Sequence, residues 1–196
     1  MKVLVFGATG GTGRQVVEQA RAAGHEVTAF TRDANGDVTE DADAVARAVR
    51  GQDAAISALG RGLSFRSQNL MSSAMRVIVP VLEREGVRRF IVTSAFGVGE
   101  TLRDAPLLPK IFGRTLLRGL FRDKAAADEY VRRSSLDWTL VYPVMLTNGP
   151  RSDRYRAGER LPLTSAAKIS RADVAEFIVR QLTDRTWLRK TVIISD

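Results

Sequence analysis

The chain is 196 residues long, with 44% hydrophobic and 27% charged residues, no cysteine, and a formal net charge of +8. That composition suits a globular protein with a sizeable core, expected as one domain over residues 1–196, and it excludes disulfides, thiolate nucleophiles and zinc–thiolate centres. The positive excess raises a polyanionic partner, but the arginines are dispersed over helices and loops and no basic run is interleaved with stacking aromatics, so no nucleic-acid partner is expected.

Val3 to Phe6 is a continuous apolar run, the pattern of a parallel strand covered on both faces. Only these four strongly apolar residues precede Gly7, too few for a signal-peptide core, and no apolar run reaches membrane-spanning length; a cytoplasmic protein without a membrane partner is expected. Gly7, Gly10 and Gly13 follow at three-residue spacing, with Gly11 between them. Missing side chains permit a tight turn and let the backbone approach a ligand closely. The N–H groups that open the next helix, with the positive end of its dipole, then point at a pyrophosphate. Thr9 and Thr12 add hydroxyl donors. The helix from about Thr12 to Ala23 carries Val16, Val17, Ala20 and Ala23 on one face and stops at Gly24; a strand over Val27 to Thr31 completes the βαβ beginning that the motif requires.

The alternation continues. A helix is expected over Thr39 to Arg50, with Glu40, Asp41 and Asp43 near its N-terminus and Gly51 closing it. Ala54 to Leu59 reads as a strand. A helix over Gln68 to Glu85 turns Leu70, Ala74, Val77, Ile78, Val81 and Leu82 inward, with Pro80 as a kink. Arg89 to Ser94 is a strand, Asp123 to Ser135 a helix, Trp138 to Tyr142 a strand ended by Pro143, Arg171 to Thr183 a helix, and Thr191 to Ile194 the last strand. Alternating helices and apolar runs predict a Rossmann-like doubly wound parallel α/β sheet with helices on both faces. Only Arg32, Asp33 and Ala34 separate the second strand from Asn35-Gly-Asp-Val38, too little for the third strand of such a sheet: either the edge is trimmed or the sequence lacks residues of the natural chain. The connection from Ala95 to Arg122 is long and apolar, as functional loops are.

The glycine motif, Arg32, Asn35-Gly-Asp-Val38, Gly51 to Gly60, Thr93-Ser-Ala-Phe96, Ser135-Leu-Asp-Trp-Thr139 and Ile169-Ser-Arg-Ala-Asp-Val174 together resemble the atypical short-chain dehydrogenase/reductases. The chain is most similar to their NAD(P)H-binding group typified by biliverdin reductase B, also called flavin reductase, and more distantly to nitrogen-metabolite-repression regulators. The resemblance covers nearly the whole chain.

That resemblance implies a nicotinamide cofactor and a small-molecule substrate. Arg32, just past the second strand with no acidic residue before it, suits a 2′-phosphate, so NADP(H) is favoured over NAD(H). Asp37 would meet the adenine, and Leu59 and Gly60 lie at the sheet's carboxyl edge. Thr93 and Ser94 are placed beside the nicotinamide, with Ser94 holding a polar substrate atom; Pro143 joins the cofactor set. Lys124 matches the lysine of the Tyr-x-x-x-Lys pair, but the tyrosine position is Leu120. Asp128 and Met145 stand where relatives carry histidines, and Tyr142 is a possible substitute hydroxyl or a half-buried strand aromatic. The only histidine, His25, lies away from the ligand side, and no carboxylates show metal spacing.

Ordinary ketone reduction needs a positioned acid/base, which Leu120 is not. The expected function is therefore an NADPH-dependent reductase passing hydride to a conjugated acceptor, a flavin or quinone, lodged under the 96–121 segment. The alternatives are a non-catalytic NADP(H) sensor and a small-metabolite epimerase or dehydratase.

Overall fold

The computed structural model describes residues 1–60, 69–102 and 118–196. In chain order the elements are β1 (Lys2–Phe6), α1 (Gly11–Ala22), β2 (Glu26–Phe30), α2 (Arg32–Asn35), α3 (Ala42–Val49), β3 (Ala54–Ser57), α4 (Leu70–Arg84), β4 (Arg89–Thr93), a 3₁₀ turn (Gly99–Leu102), α5 (Arg118–Arg132), β5 (Asp137–Pro143), β6 (Met145–Thr147), β7 (Arg156–Gly158), β8 (Lys168–Ser170), α6 (Arg171–Arg180) and β9 (Lys190–Ser195).

The apolar runs become neighbouring parallel strands because a strand covered on both faces has no polar side to show. The main sheet has the order β2-β1-β3-β4-β5-β9-β7, all parallel except β7, which runs antiparallel to β9. Leu4, Ile56, Ile91 and Leu140, each fully buried on a different strand, illustrate the core; burying one such side chain is worth about 2 kcal/mol. Helix α1 packs with α6, while α3, α4 and α5 pack in a row, so helices cover both sheet faces. Among the described residues no helix is long and apolar enough to cross a membrane.

The third strand is absent. After β2 the chain enters the single-turn α2, turns at Asp37, and starts α3 under an Asp41 cap whose carboxylate accepts from the Ala44 N–H at 2.7 Å. β2 is thereby the sheet edge, and the strand order 2-1 then 3-4-5 retains the crossover point beside β1.

Several expectations are corrected. The buried face of α4 is carried by Met71, Ala74, Met75, Ile78, Val79, Val81 and Leu82, whereas Leu70 and Val77 are only partly covered. Helix α5 begins at Arg118 rather than Asp123, and Asp123 turns inward: its carboxylate accepts from the Met71 N–H (2.9 Å), the Ser72 N–H (2.9 Å) and the Ser72 hydroxyl (2.7 Å), stapling the start of α4 to α5. Tyr142 is fully buried, not half-buried. The short β6, β7 and β8 were not anticipated; β6 and β8 form a separate parallel pair.

Candidate functional site

The turn between β1 and α1 is shaped by what it cannot hold. A Cβ on Gly7, whose φ is +76°, would stand 2.7 Å from the Ala58 carbonyl carbon and oxygen, and one on Gly13 would stand 2.0 Å from the Gly7 carbonyl oxygen. The missing side chains let α1 sit directly on the end of β1 and let β3 pass beside the turn. Gly10 and Gly11 are different. A Cβ on Gly10 would meet only the Gly7 oxygen at 3.4 Å, and one on Gly11 only the Arg171 side chain at 3.0 Å. The helix begins at Gly10 with no side-chain cap and no acidic residue in its first turn, so the amides of Gly11, Thr12 and Gly13 are disposed for an anion.

Arg171, the first residue of α6, lies across this helix start, its Nη1 donating to Asn148 Oδ1 at 2.5 Å. A second cation thus stands at the anion cradle. Its approach depends on β8 and α6 packing back over α1, where Gln19 Nε2 donates to the Ala172 carbonyl at 2.9 Å; local sequence shows none of this.

Beside the turn is an open groove of about 590 Å³ lined by Ala8 and Thr9 of the turn, Arg14, Val17, Glu18 and Arg21 of α1, and Ala29 and Thr31 at the end of β2. It follows the outer face of α1 to the end of β2, where an adenosine half would lie in a dinucleotide fold. Arg32 and Asp37 flank that end and meet each other: Arg32 Nη2 is 3.2 Å from Asp37 Oδ2. Hydrogen bonds from the Thr39 hydroxyl (2.7 Å) and N–H (2.9 Å), with the nearby Arg32 charge, hold the Asp37 carboxyl below its usual range. Arg14 was not singled out in the sequence because an arginine in the first turn of a helix looks like any solvated position.

At the other side of β1, the carboxyl ends of β3 and β4 bring Ser57, Leu59, Thr93 and Ser94 together. Ser57 Oγ and Thr93 Oγ1 are buried with no hydrogen-bond partner among the described residues. Ser57 pairs with Val92, so it and Thr93, the next residue along β4, point to opposite faces of the sheet; buried hydroxyls are normally satisfied, and Thr93, at the carboxyl end of its strand, fits a polar group arriving from outside. Gly60 follows Leu59 on the surface, and Pro143 ends β5, its carbonyl accepting from the Phe96 N–H at 3.0 Å.

Ser94 is engaged inward. Its hydroxyl donates to Asp128 Oδ2 at 2.7 Å, and the Tyr142 hydroxyl donates to the same oxygen at 2.6 Å. Arg132 Nη2 in turn donates to Tyr142 Oη at 3.0 Å. A guanidinium only donates, so Tyr142 must accept from Arg132 and give its own proton to Asp128. Burial pushes the Asp128 carboxyl above the aspartate range, opposed by the hydrogen bonds from Tyr142 and Ser94 and by the charges of Lys124 and Arg132. Burial and then Asp128 push Tyr142 well above an ordinary phenol. Lys124, partly covered, is pushed below the lysine range by burial, against Asp128 and Asp123. Tyr142 is therefore no substitute acid, and Leu120, in the position of the missing tyrosine, is a partly covered aliphatic residue. Asp128 is the group sequence reasoning left without a role; its partners come from other elements. Among the described residues His25 meets the Met1 amino group, 3.5 Å away. Phe96 and Phe121 are partly buried against the core; residues 103–117 of the expected 96–121 cover, including Leu107, Leu108, Ile111, Phe112, Leu116 and Leu117, lie outside the described residues.

These residues fit a nicotinamide dinucleotide: a side-chain-free cradle with free amides and a guanidinium, a groove beside it that reaches the end of β2, and the unpartnered Thr93 hydroxyl at the carboxyl end of β4. A family model described as NAD(P)H-binding matches residues 7–185. The chloroplast protein At2g34460 of Arabidopsis thaliana is 30% identical over 223 residues, covering 98% of this chain and 76% of its own. SP1627 of Streptococcus pneumoniae TIGR4, a proposed NADH-flavin reductase, is 27% identical with a TM-score of 0.80, covering 100% of this chain and 99% of its own. ChuY of Escherichia coli O157:H7, an anaerobillin reductase, shares the fold with a TM-score of 0.80 at 24% identity over 99% of this chain and 96% of its own.

Proposed function

We propose, from the premise that this chain belongs to the NAD(P)H-binding family, that it is an NADPH-dependent reductase whose acceptor is a flat conjugated molecule such as a flavin or quinone. The observation that carries the reading is the uncapped start of α1 facing Arg171, at the same carboxyl edge of the sheet as Thr93 and Ser94. The Gly11, Thr12 and Gly13 amides and Arg171 would hold the pyrophosphate, and Arg32 and Arg14 the 2′-phosphate. Thr93 would face the nicotinamide end, with Leu59, Gly60 and Pro143 shaping the walls. A bound reduced nicotinamide supplies the hydride; the protein binds and orients.

The class of acceptor follows from what the pocket lacks. With Leu120 aliphatic and the Tyr142 proton held by Asp128, no side chain among the described residues is poised to protonate a developing alkoxide, whose acid catalysis is commonly worth a hundredfold or more. A delocalised ring spreads the incoming charge and takes its proton from water. A likeness to a proposed NADH-flavin reductase supports the same class. The protein would act in the cytoplasm on a small-molecule substrate, as a single domain, with no nucleic-acid or membrane partner.

The test is oxidation of NADPH in the presence of FMN, riboflavin and a simple quinone, followed by absorbance, with NADH in parallel. Oxidation of NADPH in preference to NADH is expected. Tight NADPH binding with none of the acceptors reduced would favour a sensor instead, a reading that the commitment of the Ser94 proton to Asp128 keeps in play.

A further inference from the structure

We propose that Asp128 determines specificity by setting the hydrogen-bond polarity that Ser94 offers to a bound acceptor, so that the pocket selects flat heterocycles presenting a ring N–H. This inference rests on the reductase reading only for the place of Ser94 beside the acceptor. Ser94 has one proton and Oγ lone pairs. In the structure that proton points to Asp128 Oδ2 at 2.7 Å, and Ser94 is 6% exposed. The lone pairs are what remain for a ligand. Tyr142 cannot rotate to relieve the arrangement, because Arg132 donates to its oxygen and forces its own proton onto the same Oδ2.

The groups facing the Asp128 carboxyl are Ser94 from β4, Tyr142 from β5, and Lys124 and Arg132 from its own helix, with Asp123 behind Lys124. Two hydroxyl donors and two cations favour the charged form, and burial opposes it. While Asp128 is charged it accepts from Ser94, and Ser94 accepts from a ligand N–H. Once Asp128 is protonated it donates to Ser94 Oγ, freeing the serine proton for a ligand carbonyl and ending the N–H preference. Asp128 touches no ligand and acts through Ser94, so it is a positioning residue. A purely structural Asp128 would change affinity for all ligands alike; this role changes the ratio between two.

The experiment titrates the NADP⁺-loaded protein with lumiflavin and with N3-methyl-lumiflavin by fluorescence, from about pH 8 to about pH 4.5. In the wild type the ratio of the two dissociation constants should fall about fivefold across that range, the worth of one hydrogen bond. In Asp128→Asn the ratio should be independent of pH, and Ser94→Ala should hold it at the low, acid value throughout. A wild-type ratio that does not change with pH, a pH-dependent ratio surviving in Asp128→Asn, or no binding of either flavin overturns the proposal; the wild-type arm needs no variant to fold. Turnover without a pH-dependent ratio overturns this inference and leaves the reductase reading standing, and a pH-dependent ratio without turnover does the reverse.

Discussion

One methyl group separates two roles within the glycine turn. Gly13→Ala would put a carbon 2.0 Å from a backbone oxygen, and neither α1 nor β1 can yield; urea denaturation is expected to show a loss of about 2–3 kcal/mol or more, typical of overpacking. Gly10→Ala, with 3.4 Å to its nearest neighbour and an extended backbone at the cap, should stay within about 1 kcal/mol of the wild type and instead lose nucleotide affinity, because the methyl faces the open cradle. The two guanidiniums separate in the same manner. Arg171→Ala is expected to weaken NADPH and NADH alike by about tenfold, as removal of a charged hydrogen bond to a shared pyrophosphate should. Arg32→Ala should weaken NADPH alone by a similar factor, and calorimetry with both nucleotides distinguishes the pair. The ion pair of Arg32 with Asp37 involves a largely exposed guanidinium, and such pairs hold by less than about 1 kcal/mol, so it does not withhold Arg32 from a phosphate.

Among the elements, α6 is set by its first turn. Ser170 caps it, its hydroxyl accepting from the Asp173 N–H at 2.9 Å, and the Asp173 carboxylate accepts from the Ser170 hydroxyl, the Ser152 N–H and hydroxyl, and the Asp153 N–H. Burial works to raise the Asp173 carboxyl, but those hydrogen bonds outweigh it and hold the group below its ordinary 3.8. Its contribution to stability is therefore complete above that value and lost as the pH falls through the lower folded-state value. In Asp173→Asn the decline of stability below about pH 4 should be shallower than in the wild type, and at neutral pH the variant should be about 1–3 kcal/mol less stable by denaturant titration. The long buried strands were readable in the sequence because continuous apolar runs have few other uses, and the trimmed edge was readable because three residues cannot hold a buried parallel strand together with the connections on either side of it. The three-residue β6, β7 and β8 were not, since they span too little chain to show a period. On the inner face of α4 Ala74, Ile78, Val81 and Leu82 are buried as expected, while Met71, Met75 and Val79 are buried in place of Leu70 and Val77, which are only partly covered.

For the molecule as a whole, a nucleotide that binds only the folded state must stabilise it. NADPH at a hundredfold over its dissociation constant contributes about 2.7 kcal/mol, which for a chain of this size raises the melting temperature by about 5–10 °C; a thermal melt that does not move with either nucleotide removes the cradle from consideration. The cradle could be read from the sequence because its glycines are adjacent in the chain. Arg171 against Gly11, and Asp128 between Ser94 and Tyr142, could not, since each contact joins distant segments through sheet order and helix packing. Asp123 has a further consequence of this kind. It fastens the first turn of α4, directly after residues 61–68, to the first turns of α5, directly after residues 103–117. Whatever sequence is grafted between those anchor points, the scaffold keeps its own stitch. Libraries seeking new substrates can randomise both stretches at once, provided Asp123 and Ser72 are left as they are.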